Sequence, residues 1–129
     1  MKKQNRKQIV KKLDQIFSEY IRLRDKYKCF TCGKQGYEKD GVMTVGHLFS
    51  RVAYSTRWNI LNSNCQCKSC NMRHEYDFEI YRNIFVQKYG QQKYDDLYRY
   101  FKTPVKYTNN DLLVLIKYFK QEKGKLGNE

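Results

Sequence analysis

The chain has 129 residues, with 26 Lys and Arg against 13 Asp and Glu, for a formal net charge of +13. That length suits one domain with a modest core and is short of two. The absence of a long apolar run excludes a transmembrane helix, and so large a cationic excess implies a polyanionic partner, nucleic acid ahead of an anionic membrane surface.

More than half of the excess falls on residues 1–28, which hold ten Lys and Arg and three Asp and Glu. From about Lys7 to Tyr27, Ile9, Leu13, Ile16, Phe17, Tyr20, Ile21 and Arg24 recur at helical spacing, so an amphipathic helix with a basic exterior is predicted. Its outer face either contacts phosphates or is simply solvated. The first residues, Met1 to Lys7, have the charge of a signal-peptide start but no apolar stretch behind them, which points to the cytoplasm. Five cysteines in a reducing compartment argue for metal over disulfides.

Cys29-Phe-Thr-Cys32-Gly33 reads as a tight knuckle, and Val42 to Phe49 as a short strand ending near His47. Residues 50–66 show no sustained period and are predicted to be a long loop, a form usually reserved for function. One helix is expected from Asn71 to Tyr89, closed by Gly90, and a shorter one from about Gln91 to Phe101. Thr108-Asn-Asn-Asp111 should cap a last helix to about Lys123, with the tail from Gly124 frayed. Most of the twelve tyrosines sit at core spacing, while Tyr54, beside Arg51 and Arg57, could stack on bases.

Cys29, Cys32, Cys67 and Cys70 form two CxxC turns, each able to deliver two sulfurs to one zinc ion. Four thiolates close its coordination shell, so this zinc holds the fold and performs no chemistry. Cys65 is left over, as a small buried residue or as a substitute for Cys67. Between the two turns stand His47 and Asn62, followed by Asn71, His74 and Glu75. A histidine activating water, an asparagine fixing its imidazole and a helix offering ligands would together serve a one-metal phosphodiesterase. Hydrogen-bonded packing of His47 is the competing reading. Glu75 shares a helix face with Asn71, and its alternative is an exposed first-turn carboxylate placed by the helix dipole.

CxxCG, then Gly46-His47-Leu-Phe-Ser-Arg51, Ser55-Thr-Arg-Trp58 and Asn62-Ser-Asn-Cys-Gln-Cys-Lys-Ser-Cys-Asn71 together resemble the phage NinG/Rap recombination proteins. These are zinc-containing HNH, or ββα-metal (His-Me finger), nucleases. The resemblance runs from Phe17 to Gly90, and the segment is also similar to phage endonuclease VII. It implies a general base at His47, the middle Asn of the HNH signature at Asn62, and a ligand of Mg²⁺ or Mn²⁺ at Asn71. Glu75 joins Asn71 as the first choice among candidate ligands, with His74 and Asp77 weaker ones. In the broader HNH pattern an Asp or His often precedes the base, where this chain has Gly46.

The expected architecture is mostly helical α+β within a single domain, 1–129. A basic N-terminal helix (1–28) precedes a zinc-containing HNH core (29–90), and C-terminal helices (91–124) follow. Metal-dependent endonuclease activity on branched or nicked DNA is the expected function, leaving a 5′-phosphate and a 3′-hydroxyl as the resemblance implies. Arg51, Arg57, Lys68 and Arg73 are candidate phosphate contacts, and Trp58 is expected to pack under the loop. A homodimer would suit junction resolution, with the apolar last helix as a candidate surface, although core packing explains that helix equally well. Two rivals remain at this stage: a zinc-stapled DNA-binding protein without catalysis, and an HNH enzyme of the restriction or homing type acting on linear duplex.

Overall fold

The structure is a computed structural model that describes residues 5–127. Residues 1–4, with the signal-like start, and 128–129, the end of the tail, lie outside the described residues. The elements run α1 (Arg6–Arg24), β1 (Met43–His47), α2 (Tyr54–Arg57), β2 (Ser63–Cys67), α3 (Lys68–His74), α4 (Phe78–Tyr89), α5 (Gln91–Lys102) and α6 (Asn109–Gly127). The result is mostly helical α+β with one small antiparallel hairpin, β1–β2. No helix among the described residues is long and apolar enough to cross a membrane.

Helix α1 starts where Asn5 accepts the Gln8 N–H and buries Ile9, Leu13, Ile16, Phe17 and Ile21, the stripe its spacing predicts. It ends at Arg24, short of the predicted Tyr27, because Lys26 and Tyr27 adopt φ 55° and 57° and turn the chain into the knuckle. Arg6 bonds Asn109 and the Tyr107 carbonyl at one end, and Glu19 pairs with Lys123 at the other. The two longest helices, α1 and α6, therefore lie parallel, joined by Phe17, Leu13, Leu112, Ile116 and Phe119. A reciprocal pair of bonds between Thr108 and Asp111 caps α6, as predicted, but the helix runs past Lys123 to Gly127.

The hairpin divides two layers. Val45 packs toward the α1–α6 layer, and His47 stands beside the Phe17 ring. On the opposite side, Tyr81 of α4 accepts from Asn64 at 2.9 Å and donates to the Gly46 carbonyl at 3.1 Å. Beyond it, Leu48, Phe49, Phe85 and Leu97 close a second core with α5.

Two expectations need correction. The stretch 50–66 is not one loop: it contains α2 and most of β2. Every residue of β2 is buried, including Ser63, Asn64 and Gln66, so the polar character that suggested a loop belongs to a strand in which the Asn64 and Gln66 amides donate to Tyr81 and Thr31. The single helix predicted from Asn71 to Tyr89 is two helices, α3 and α4, separated at residues 75–77, where Asp77 leaves helical geometry at φ −139°.

Candidate metal and nuclease site

The sulfurs of Cys29, Cys32, Cys67 and Cys70 all lie within 4.8 Å of one another. The Cys32–Cys67 separation of 3.8 Å matches the edge of a tetrahedron with metal–sulfur bonds of about 2.3 Å. Gly33, at φ 77°, supplies the left-handed residue the knuckle needs, and the Cys32 N–H points at the Cys29 sulfur. Burial opposes ionisation of Cys29, but N–H groups of Cys32, Cys67 and Thr31 outweigh it and bring that thiol down to about 7. Cys70 is pushed strongly upward by burial and by the neighbouring sulfurs, a repulsion that a cation would relieve. The four cysteines thus fit zinc in geometry and in charge. Cys65 stands outside the cluster, with its thiol raised to about 12 by burial and by Asp25, which also accepts its backbone N–H. It is the leftover, buried cysteine and does not replace Cys67.

The outer edge of β1 is the second feature. The Val42–Lys68 and Leu48–Asn62 bonds at its two ends put the hydrogen-bonded pairs of the β1–β2 ladder at the even-numbered residues of β1, so Val45 and His47 direct their backbone groups outward. Helix α3 covers that edge. Asn71 Nδ2 donates to Thr44 Oγ1 at 3.0 Å and to the Val45 carbonyl at 3.4 Å, leaving Oδ1 as its unused atom. His74 Nε2 donates to the His47 and Leu48 carbonyls at 3.0 and 3.1 Å. Two hollows of about 560 and 420 Å³ meet here, sharing Val45, His47, Arg51 and Asn71. Glu75 lines the larger one; Asp14, Ser18 and Arg22 of α1 line the smaller.

His47 Nε2 lies 3.0 Å from the Arg57 carbonyl. A carbonyl only accepts, so Nε2 carries the proton and Nδ1 is left as the acceptor, with no hydrogen-bond partner among the described residues. Burial, with a smaller contribution from the Arg51 charge, lowers the imidazole to about 4 against the opposing pull of the Arg57 carbonyl. The ring is therefore neutral at physiological pH, the form a general base requires.

Several expected roles move. Asn62, fully buried, accepts from the Phe49 N–H at 2.9 Å and donates to the Phe49 and Thr56 carbonyls at 3.1 Å. It makes no bond to the imidazole. It fixes the backbone at Thr56, next to the carbonyl that holds His47, and so acts through the loop. His74 has Nε2 spent on two carbonyls, so only its Nδ1, buried and without a hydrogen-bond partner, is left for a metal. Asp77 lies beside Arg73 and Gln66 in a separate small cavity, away from His47. Asn71 and Glu75 both line the larger hollow and carry side-chain oxygens, the donor type a hard divalent ion takes.

Among the predicted phosphate contacts, Arg51 is exposed at the junction of the two hollows. Arg57 is not available: only 13% of its side chain is exposed, and Asp14 binds it at 2.5 and 3.1 Å. Lys68 and Arg73 are exposed but line neither hollow. Tyr54 packs between Trp58 and Tyr107 and is not offered for stacking, while Trp58 is buried under the loop as expected.

Asp14 is the residue that sequence reasoning missed. Its carboxylate takes two bonds from Arg57, one from the Trp58 indole at 3.0 Å, and an ion pair with Arg51 at 3.6 Å. The available signal was an acidic side chain in the apolar stripe of a basic helix, four residues after Val10 and three before Phe17.

Gly46, the residue before His47, has a steric explanation. A Cβ there would fall 1.7 Å from Gln66 Oε1, and Gln66 is buried and donates to Thr31 Oγ1 at 2.7 Å. Gly46→Ala should therefore lower stability by about 1–3 kcal/mol. In a Gln66→Ala background most of that loss should vanish, as a double-mutant cycle of urea unfolding would show.

A family model described as the bacteriophage lambda NinG protein matches residues 1–129, which extends the likeness through the C-terminal helices. No curated protein and no solved structure gives a significant match. With the whole chain covered by that one model, the protein belongs to the NinG family.

Proposed function

We propose that the chain is a divalent-metal-dependent DNA endonuclease of the HNH (ββα-metal) type, similar in layout to phage endonuclease VII and acting on branched or nicked DNA in recombination. The observation that carries this reading is the fixed tautomer of His47. Its Nε2–H is held by the Arg57 carbonyl, its Nδ1 is left to accept a proton, and its ring lines the hollow that contains Asn71 and Glu75. A zinc-stapled DNA-binding protein needs the cysteines and the positive charge but gives no reason for this arrangement.

In the reaction, Nδ1 of His47 takes a proton from the attacking water as its oxygen bonds to phosphorus. The Arg57 carbonyl supports the imidazolium that forms, and Arg51 offsets charge on the phosphate. Asn71 and Glu75 would hold Mg²⁺ or Mn²⁺, which when bound stabilises the charge developing on the phosphate and the leaving 3′ oxygen. That oxygen departs with the bonding electron pair and takes a proton from solvent water to become the 3′-hydroxyl, leaving a 5′-phosphate.

The test is nicking of supercoiled plasmid and of matched linear, flap and four-way substrates across a Mg²⁺ and Mn²⁺ titration. Activity should require the divalent ion. Glu75→Ala and Asn71→Ala should each raise the half-saturating ion concentration about 10-fold or more, with zinc content unchanged. Metal-independent nicking, or no nicking of any substrate by the zinc-loaded protein, would reject the proposal.

A further inference from the structure

The outer edge of β2, across the hairpin from His47, has its own hollow of about 360 Å³. Lys26 and Lys28, from the turn after α1, and Lys88 of α4 line it over the side chains of Phe30 and Ile84. None of the three lysines has an ion-pair partner among the described residues. The hollow's one carboxylate, Asp25, is committed to Arg24 at 2.8 Å and to the Cys65 N–H. Arg24 is itself held by that carboxylate and by the Ile60 and Ser63 carbonyls. The left-handed backbone at Lys26 and Tyr27 bends the chain where Lys26 and Lys28 flank the hollow, and Lys88 Nζ sits 5.4 Å from the Phe30 ring centre. Three lysines without an ion-pair partner among the described residues line one depression, where an anion would offset their mutual repulsion.

We propose that this hollow is a second phosphate-binding site, which takes the backbone of a nucleic-acid strand passing the β2 edge. The inference rests on the reading above, in which DNA is cut at the β1 edge. Lysines supply charge without the oriented fork of an arginine, which suits a polymeric backbone better than a small phosphate ester held in one pose. The two sites flank a hairpin of only two strands, about 4.8 Å apart. One rigid unit would thus grip the strand being cut and a second stretch of backbone together.

The experiment compares three zinc-loaded proteins: wild type, K26E/K28E/K88E, and K106E/K117E/K120E, whose charge change is the same but whose lysines lie elsewhere. Binding to a labelled linear duplex and to a four-way junction is read by fluorescence anisotropy across a salt series, with no divalent ion added. The hollow variant should bind at least about 10-fold more weakly than the control variant, with a log–log salt slope shallower by about 2 to 3. Equal affinity of the two variants, or a hollow variant that matches wild type, would overturn the site. Should the Glu variant fail to fold, K26Q/K28Q/K88Q decides by the same comparison with K106Q/K117Q/K120Q. Because no cleavage is involved, loss of this site and failure of the nuclease reading give different results.

Discussion

Serine in place of Cys67 should abolish zinc retention and remove the cooperative unfolding transition. Cys67 ends β2 and immediately precedes α3, so its sulfur ties the hairpin to the helix that covers the β1 edge. The core around it is small, consisting of Cys29, Met43 and Cys65, and a two-stranded hairpin is marginal without support. Zinc binding in such sites is worth about 10–16 kcal/mol, comparable to the whole stability of an ordinary domain. Metal analysis should find one zinc per chain in the wild type and none in Cys67→Ser, whose circular dichroism should melt without a sharp midpoint. Cys65→Ser is the control. That side chain is equally buried but lies outside the cluster, so the variant should keep its zinc and a cooperative, if lowered, transition.

The second large effect is expected from Asp14. Its removal would strand the Arg57 guanidinium and the Trp58 indole, both largely buried, and loosen the segment whose carbonyl fixes His47. Asp14 is itself partly exposed, at 29%, so the loss falls below that of a fully buried pair. Asp14→Ala should cost about 2–3 kcal/mol in urea unfolding. Asp14→Asn turns one accepting oxygen into an amide NH₂ that cannot accept from Arg57 or Trp58, so it should cost less stability than Ala while still letting the Arg57 segment shift. Its nicking rate should nevertheless fall by about 100-fold, because displacing the base by even 1 Å is that damaging. Substrate affinity should change little, since the carboxylate holds the base and contacts no phosphate. A rate that tracks stability alone, with Asn close to wild type, would show that Asp14 supports the fold and not the alignment of His47.

Spacing made some of this protein legible and polarity concealed the rest. The four cysteines were readable because a CxxC turn states its geometry in the chain itself. Helices α1 and α5 were readable because their apolar residues keep one period, and α6 because Thr108 and Asp111 announce its cap. Strand β2 was hidden because Asn64 and Gln66 face inward, where their amide nitrogens donate to Tyr81 and Thr31, so no apolar alternation marks it. The break between α3 and α4 has neither Gly nor Pro at residues 75–77 to announce it. His47 and Asn71 were found by resemblance as much as by chemistry. Asp14 was not found, because it meets Arg57 across 43 residues of sequence. Asn62 was noticed and given the wrong contact, since only the folded loop shows that it binds backbone and leaves the imidazole to Arg57.

The central claim is that Nδ1 of His47 is the base of a hydrolytic site, and the most direct measurement is single-turnover nicking by His47→Ala. Wild type and variant should each carry one zinc and bind the same DNA, so that any difference lies in the chemical step. With Mg²⁺ or Mn²⁺ saturating, the variant should cleave at least about 100-fold more slowly. A His47→Ala protein that keeps its zinc and nicks within about threefold of wild type, well short of the loss expected of a missing general base, would contradict the account.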